Sequence, residues 1–243
     1  MYQSLRNEAL PPVAPLASLL AALEAAGEAT RLRILALLAE AELTVSEIVT
    51  ILGQSQPRVS RHLKLLVEAG LALRHREGAW AFFLLPERGS VALLLHDIIT
   101  RIDAADPVIA ADRARLGEVR RSRAEQAAQY FARHAEGWDE IRALHVPEAQ
   151  VEAAIAEIVG QTQMQAVLDL GTGTGRMLEL VAPYAVRAVG MDQSPAMLNL
   201  ARARLEASGL RNVHLRQGDI YALPAERNGY DLVILHQIGR AHV

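Results

Sequence analysis

A glycine-rich stretch in the last third of the chain has the composition of a ligand-binding turn. The stretch "VLDLGTGTGR", residues 167–176, places Gly171, Gly173 and Gly175 at alternate positions, with Asp169 two residues before the first glycine. Glycine tolerates positive φ and lets a ligand approach the backbone where a Cβ would clash. The next apolar run, "RAVGMD", ends at Asp192, which could accept hydrogen bonds from both hydroxyls of a ribose. The spacing therefore predicts a site for a ligand that contains a nucleoside.

Two ligands that contain a nucleoside are candidates for this turn, a dinucleotide and S-adenosylmethionine. A dinucleotide fingerprint, G-x-G-x-x-G, needs its third glycine at the position of Arg176, and Asp169 would repel a pyrophosphate. S-adenosylmethionine has no phosphate and carries a sulfonium and an ammonium group, which a carboxylate attracts. A later run, "VHLRQ", is followed by Gly218 and Asp219, where an adenine amino group could donate a hydrogen bond. The residues favour S-adenosylmethionine.

Residues 161–243 alternate apolar strand-like runs with amphipathic helices, which is typical of an α/β domain with a parallel sheet. Four runs in order, "VLDLGTGTG", "GMDQSPAMLNLARARL", "QGDIYALP" and "YDLVILH", make residues 165–236 resemble class I S-adenosylmethionine-dependent methyltransferases. That resemblance implies a Rossmann-like fold. It also implies contacts to the methionine part from Asp169, Gly171, Gly173 and Gly175, to the ribose from Asp192 with Gln193 nearby, and to the adenine from Asp219 and the backbone of Ile220.

The sequence does not identify the catalytic residues, which are unknown. Methyl transfer from a sulfonium depends mainly on alignment of the acceptor, and a general base is optional. His236, after the fourth strand-like run, is a candidate base, but acceptor-binding residues in this fold usually come from later segments. About three further strands are expected there, whereas the sequence ends seven residues after His236 with "IGRAHV", which is similar to one reading frame of a sequencing adapter. We therefore expect a truncated, incomplete methyltransferase domain without turnover and with poor stability.

The N-terminal third predicts a helix-turn-helix followed by a hairpin. In "TVSEIVTILG" either Thr44 or Ser46 could cap a helix that ends at Gly53. A second helix begins near Ser55 and carries Pro57 in its first turn, where proline is tolerated. Its apolar residues recur at i, i+4 and i+7, so Val59, Leu63 and Leu66 should face the core. After Gly70, "LALRHREGAWAFFLL" reads as two strands around an "EG" turn.

The remaining face of the second helix and the hairpin are basic. The whole chain has a net charge of −3, yet the stretch between Gln54 and Gly78 contains five Lys or Arg residues and only two Glu. A helix-turn-helix with a basic hairpin is typical of a DNA-binding module, and each phosphate contact adds salt-dependent affinity. The alternative is the solvated face of an ordinary helical domain. The residues predicted to contact DNA are Ser55, Gln56, Arg58, Ser60, Arg61, Lys64, Arg74 and Arg76.

The run "SQPRVSRHLKLLVEAGL" resembles the ArsR-type winged helix-turn-helix family of bacterial repressors, and the resemblance extends over the first domain. It implies binding to double-stranded DNA as a homodimer, through the first helix and the helix after the wing. The second of these is "SVALLLHDIITRI", with an apolar stripe of Val91, Leu94, Leu95, Ile98 and Ile102. Many members sense metals through cysteines, but this chain has none and places Thr44 and Ser46 in that region, so no metal site is expected.

We thus predict three zones: a winged helix at 15–100, a helical connector at 101–160 and a partial methyltransferase domain at 161–243. The connector contains "QYFARHAEGWDEIR", where Tyr130, Phe131, His134 and Trp138 could form a lid over the cofactor or simply pack in a core. No apolar run is long enough to span a membrane, and the expected location is cytoplasmic.

Two functions remain open. In the first, the chain is a DNA-binding transcriptional regulator whose second domain, in the full-length protein, is an S-adenosylmethionine-dependent methyltransferase acting on a small molecule. In the second, it is a pure transcription factor whose second domain only senses S-adenosylmethionine or S-adenosylhomocysteine. Linkage requires such a ligand to bind the DNA-competent and incompetent states with different affinities. The sequence does not decide which state the ligand would favour.

Overall fold

A computed structural model describes residues 13–86, 89–142, 148–160, 163–220, 223 and 229–236. Their side chains are described as well, except those of residues 90, 131–142 and 148–149. The chain forms two compact units, Met1–His75 with Trp80–Leu116, and Arg76–Ala79 with Gly117–Val243. Within the described ranges, none of the helices has the length and apolar character required to cross a bilayer.

The first unit has the element order of a winged helix-turn-helix. Its helices are α1 (Leu16–Ala26), α2 (Ala29–Leu38), α3 (Val45–Leu52), α4 (Gln56–Glu68) and α5 (Ser90–Thr100). Its strands are β1 (Leu43–Thr44), β2 (Leu73–Glu77) and β3 (Trp80–Leu84), in the sheet order β1-β3-β2. Strand β1 pairs antiparallel with β3, and β2 and β3 form the wing. The predicted winged helix is confirmed.

The turn between α3 and α4 is specified by local signals. Thr44 is the N-cap of α3: its hydroxyl accepts from the Glu47 N–H at 3.3 Å, and the Glu47 carboxylate accepts from the Thr44 N–H at 2.8 Å. This is a capping box, and it selects Thr44 over Ser46 as the cap. Gly53 ends α3 at φ +64, a conformation that favours glycine. Helix α4 then begins after Ser55, with Pro57 in its first turn.

Helix α4 is buried along one face, as its periodicity predicts. Val59, Leu63 and Leu66 are all but inaccessible to solvent and belong to the core of the first unit. The main contacts of α4 are with α3, α1 and α2, which fix its orientation within this unit. Because the apolar stripe faces these helices, the polar side chains between its members must face away from the core.

Helix α6 (Pro107–Arg142) begins inside the first unit. Its first turns bury Ile109 and Leu116, and its buried Asp112 accepts two hydrogen bonds from Arg33 of α2, at 2.6 and 2.7 Å. Arg115 donates to the carbonyl oxygen of Ile51 at 3.1 Å. These contacts extend the first unit to Leu116, beyond the predicted end of the winged helix at residue 100. The start of the expected connector is therefore part of a domain core.

The second unit contains a four-stranded parallel sheet. After α7 (Glu148–Val159), the chain forms β4 (Met164–Leu170), α8 (Arg176–Val181), a 3-10 turn (Ala182–Tyr184), β5 (Ala185–Asp192), α9 (Pro195–Ala207), β6 (Val213–Gln217) and β7 (Leu232–Leu235). The strand order is β6-β5-β4-β7, and every pairing is parallel. The order reverses beside β4, and ligands of open parallel sheets bind at the carboxyl ends of the strands next to such a reversal. The predicted Rossmann-like α/β fold is confirmed.

Apolar residues cover both faces of this sheet. On one face Val167 and Ile234 pack with Met177 and Val181 of α8. A neighbouring cluster joins residues of β5 and β6 to α9. The opposite face carries a cluster of Leu168, Leu170, Val189 and Met191. These clusters fix the strand ends, where the candidate ligand residues lie.

Candidate functional site

The glycine-rich stretch forms a tight turn between β4 and α8. Gly171, Gly173 and Gly175 have φ values of +69, +52 and +77, which side-chain-bearing residues rarely adopt. The N–H groups of Gly171 and Thr172 donate to the carbonyl oxygen of Met191 at 2.8 and 2.9 Å. The turn is thereby fixed to the carboxyl end of β5.

Two carboxylates form hydrogen bonds with this turn. Asp169 is buried, and its Oδ2 accepts a hydrogen bond from the Thr172 hydroxyl at 2.6 Å. Asp192 accepts from the Gly173 N–H at 2.9 Å through one oxygen and from the Ser194 N–H at 2.8 Å through the other. The predicted methionine-side and ribose-side carboxylates therefore contact the same turn.

The adenine-side residues lie at the end of the next strand. Gln193 Nε2 donates to Asp219 Oδ1 at 3.1 Å, so the residue that follows β5 is bonded to the one that follows β6. Ile220 packs, together with Tyr230, against the apolar cluster on the face of β4 and β5. The structure thus places all eight predicted cofactor residues along the carboxyl edge of three adjacent strands.

The site is strongly anionic. Burial raises the pKa of Asp169 to about 6, the hydrogen bond from Thr172 opposes this shift, and the negative charge of Asp192 adds to it. A buried carboxylate beside a second carboxylate is stabilised by a cation and destabilised by an anion. The electrostatics of the turn therefore fit a positively charged ligand.

Three backbone donors of the turn that a pyrophosphate could use are already engaged. The Gly173 N–H is bonded to Asp192, and the N–H groups of Gly171 and Thr172 are bonded to β5. Arg176 makes a bidentate pair with Glu152 of α7, both distances being 2.7 Å, and a further bond to Glu179 at 2.7 Å. Its positive charge is balanced by these two carboxylates. The residues fit a phosphate-free cation such as S-adenosylmethionine better than a dinucleotide.

Several residues of this site were not predicted from the sequence. Thr172 orients the buried Asp169, and Thr174 accepts a hydrogen bond from Arg204 Nη1 of α9 at 2.9 Å. The threonines alternate with the glycines, which is a sequence signal that could have marked them. No motif in the sequence marks Arg204, because it lies 30 residues after its partner Thr174.

Gly175 has a packing role in addition to its place in the turn. A Cβ at this position would lie 3.1 Å from Ala201 Cβ and 3.3 Å from Leu205 Cδ1, both on α9. We expect Gly175→Ala to lower the thermal unfolding midpoint of the second unit, because the change combines a left-handed backbone with a crowded contact. The cost should be about 1–3 kcal/mol.

Gly209 provides the matched control for this prediction. It also has positive φ, +71, but a Cβ there would meet nothing within 4 Å. Thermal unfolding followed by circular dichroism should show a larger decrease for Gly175→Ala than for Gly209→Ala. Equal decreases would mean that contact with α9 contributes nothing.

The residues predicted to contact DNA are exposed. Six lie on α4 or at its N-cap, and the other two alternate with the half-buried His75 on β2. The eight exposed residues are Ser55, Gln56, Arg58, Ser60, Arg61, Lys64, Arg74 and Arg76. Trp80, the first residue of β3, is not among the predicted contacts but is also exposed, to 51%. A large exposed aromatic side chain on the wing is a further candidate contact.

The predicted dimer stripe on α5 is only partly available. Leu95 is buried within the chain, whereas Val91, Leu94, Ile98 and Ile102 are half-buried. Helix α1, which contacts α5, instead exposes Leu16, Leu20 and Leu23 at i, i+4 and i+7. The larger exposed apolar surface of this pair of helices therefore lies on α1.

Two further candidates are only partly described. Tyr130 is half-buried on α6, whereas the side chains of Phe131, His134 and Trp138 lie outside the described residues, so the lid stays a prediction. His236 follows β7 directly, at the carboxyl edge of the sheet. The bond from Arg176 is the main cause that lowers the pKa of Glu152, and His236 is near enough to add to it.

Comparison with known proteins gives a consistent assignment. The family model "Bacterial regulatory protein, arsR family" matches residues 28–72, and the model "Methyltransferase domain" matches residues 167–242. The chain is 51% identical over 57 residues to the arsenical resistance operon repressor of Escherichia coli. The aligned segment covers 23% of this chain and 49% of that protein.

Two other relatives extend the comparison. The arsenic resistance transcriptional regulator ArsR1 of Pseudomonas putida is 39% identical over 93 residues, 37% of this chain and 70% of that protein. The ubiquinone biosynthesis O-methyltransferase of Acinetobacter baylyi is 33% identical over 113 residues, 45% of this chain and 48% of that protein. The chain spans about half the length of the repressor and of the O-methyltransferase. By its similarity to most of the Pseudomonas regulator, the chain belongs to the ArsR family of bacterial regulatory proteins, and it carries a methyltransferase domain behind its regulator domain.

Proposed function

We propose that this protein is a homodimeric regulator that binds double-stranded DNA through α4 and the wing, and that its second domain binds S-adenosylmethionine. In the proposed activity that domain transfers a methyl group to a small molecule. The observation that carries the cofactor assignment is the pair Asp169 and Asp192, both bonded to the glycine turn where the strand order reverses. A protein with these two partners would act in the cytoplasm.

Different residues of the site would contact different parts of the methyl donor. When bound, S-adenosylmethionine supplies an electrophilic methyl group on a cationic sulfur. Ionised Asp169 would provide the negative charge near the methionine part. Each oxygen of Asp192 accepts one hydrogen bond in the chain and keeps a second lone pair, which a ribose hydroxyl could use. Asp219 and Ile220 would then receive the adenine end, with Gln193 near the ribose.

The chain's own contribution to methyl transfer would be chiefly geometric. Holding the donor at the sheet edge and orienting it against an acceptor makes the reaction effectively unimolecular. The bond from Thr172 and the two bonds to Asp192 restrict the carboxylates before a ligand arrives. His236, at the same edge, is a candidate to receive a proton from the acceptor where the acceptor needs a base.

The proposed DNA-binding face rests on exposure and charge. Arg58, Arg61 and Lys64 are exposed on α4 outside its buried stripe, and Arg74 and Arg76 are exposed on the wing. A recognition helix reads base edges in the major groove, while basic side chains contact phosphates. The exposed leucines of α1 would be covered by a second copy of the chain, which fits the twofold symmetry of paired half-sites.

We expect the double variant Arg58→Ala/Arg61→Ala to bind DNA with a reduced salt dependence. Each phosphate contact contributes about 0.9 to the slope of log affinity against log salt, so two lost contacts should lower the slope by about 2. The measurement is fluorescence anisotropy with a mixed-sequence duplex of about 30 base pairs over a range of salt concentrations. Arg101→Ala, at an exposed position after α5, is the control for loss of a positive charge outside α4 and the wing. A slope equal to that of the control would refute the phosphate contacts.

The sensor function is a second candidate, favoured by the position of α6. This single helix begins in the first compact unit and ends in the second, so it belongs to both. Isothermal titration calorimetry with S-adenosylmethionine and S-adenosylhomocysteine tests cofactor binding. DNA titrations with and without each ligand then separate the candidates: a change in DNA affinity supports the sensor, whereas binding without any change supports independent functions.

A further inference from the structure

Helix α9 supports the glycine turn along one face. Ala201, Arg204, Leu205 and Ser208 recur at i, i+3, i+4 and i+7, which places them on the same side of the helix. The two apolar members lie against Gly175, where even a Cβ would be crowded. The end of the turn therefore rests directly on this face of α9.

The polar members of the face make the other attachments. Arg204 Nη1 donates to the Thr174 hydroxyl at 2.9 Å, and the Ser208 hydroxyl donates to Glu179 Oε1 of α8 at 2.5 Å. The second threonine of the turn is therefore anchored to α9, whereas the first, Thr172, is anchored to Asp169. The two anchors lie on opposite sides of Gly173, whose N–H donates to Asp192.

The charge of Arg204 is balanced by its surroundings. It contributes to lowering the pKa of Glu152, where the bond from Arg176 is the main cause. Burial alone would raise the pKa of Glu179, but bonds from Ser208 and Arg176, with the charge of Arg204, hold it below its ordinary value. A guanidinium among these carboxylates is poorly suited to binding an anion. Its directional bond to Thr174 is the feature that acts on the turn.

We propose that Arg204 is a positioning residue of the methyl-donor site, which restrains the turn through Thr174 and so keeps the Gly173 N–H on Asp192. The inference rests on the proposed function of this site. A turn with three glycines has many backbone conformations available, and each restraint made before binding reduces the entropy that the ligand must remove. Loss of the anchor should therefore weaken ligand binding more than it weakens the fold.

The test uses the 243-residue chain and two independent readouts. Thr174→Val removes the acceptor at nearly constant volume, Arg204→Met removes the donor and keeps the stem, and Thr174→Ser retains a hydroxyl. The control is Asn199→Ala, an exposed change elsewhere on α9. Titration calorimetry gives the dissociation constant of S-adenosylmethionine, and amide hydrogen exchange of residues 171–175 reports the restraint without any ligand. Thermal unfolding checks the fold.

We expect Thr174→Val and Arg204→Met each to weaken binding about tenfold and to speed exchange in the turn, with Thr174→Ser near the unmodified chain. The double variant should be no weaker than either single variant, because both remove the same bond. If the unmodified chain binds S-adenosylmethionine and both single variants bind it equally well, the inference is wrong and the proposed function stands. If the unmodified chain fails to bind but exchange still responds, the cofactor assignment fails while the anchor remains. Failure of both readouts overturns both.

Discussion

Asp169→Asn is expected to abolish binding of S-adenosylmethionine while it stabilises the unliganded chain above pH 6. The carboxylate is buried, and its pKa is raised from 3.8 to about 6, chiefly by burial. A raised pKa means that the folded chain binds the proton more tightly than the unfolded chain does. Stability is therefore lost as the pH rises from about 4 to 6, and the full penalty remains above that window.

The size of the penalty follows from the shift. Two pKa units correspond to a free energy of unfolding on the order of 3 kcal/mol. Asparagine has no charge to bury and can still accept the hydrogen bond from Thr172. The variant should therefore unfold at a higher temperature than the unmodified chain at pH 8, and at a similar temperature near pH 4. Thermal unfolding at the two pH values measures this difference, with the exposed Asp97→Asn as the control.

The same charge should strengthen ligand binding as the pH rises, whereas it lowers the stability of the unliganded chain. A cationic ligand favours ionised Asp169, so the affinity for S-adenosylmethionine should rise as the pH increases through about 6 and then level off. In Asp169→Asn this step should disappear along with most of the binding. A variant that binds as well as the unmodified chain, or that is less stable at pH 8, would contradict the assigned role of this carboxylate.

The features that the sequence predicted are those with a local physical cause. The buried stripe of α4 follows from helical periodicity, and it leaves Arg58, Arg61 and Lys64 outside. The glycine turn follows from residues that alone tolerate its φ values. Even the choice between Thr44 and Ser46 had a local signal, since Glu47 lies three residues after Thr44 and completes a capping box.

The missed features depend on partners far apart in the chain. Arg204 and Thr174 are separated by 30 residues, and Arg33 and Asp112 by 79. Neither pair produces a periodicity or a motif, because its existence depends on how whole helices pack. For the same reason, the segment after residue 100 looked like a charged connector. Only the fold shows that the charged Asp112 is buried and belongs to the first unit.

Asp112→Ala is therefore expected to destabilise the first unit strongly, although Asp112 lies beyond the predicted winged helix. The change leaves the Arg33 guanidinium, whose side chain is 20% exposed, without its bidentate partner. Removing one member of a largely buried ion pair costs about 3 kcal/mol, because the remaining charge is still desolvated. We expect a lower thermal midpoint for this unit and weaker DNA binding at temperatures near that midpoint.

A double-mutant cycle separates the ion pair from general effects of the substitution. Arg33→Met/Asp112→Ala should be less destabilised than the sum of the single variants, because the double variant no longer contains the Arg33 guanidinium that Asp112→Ala leaves without its bidentate partner. Glu118→Ala, an exposed acidic residue on the same helix, is the control and should change the midpoint little. The measurement is thermal unfolding by circular dichroism, with DNA binding as the readout of the first unit. If Asp112→Ala unfolds like the control, the start of α6 is only a connector; if it does not, the regulator domain includes the first turns of α6, up to Leu116.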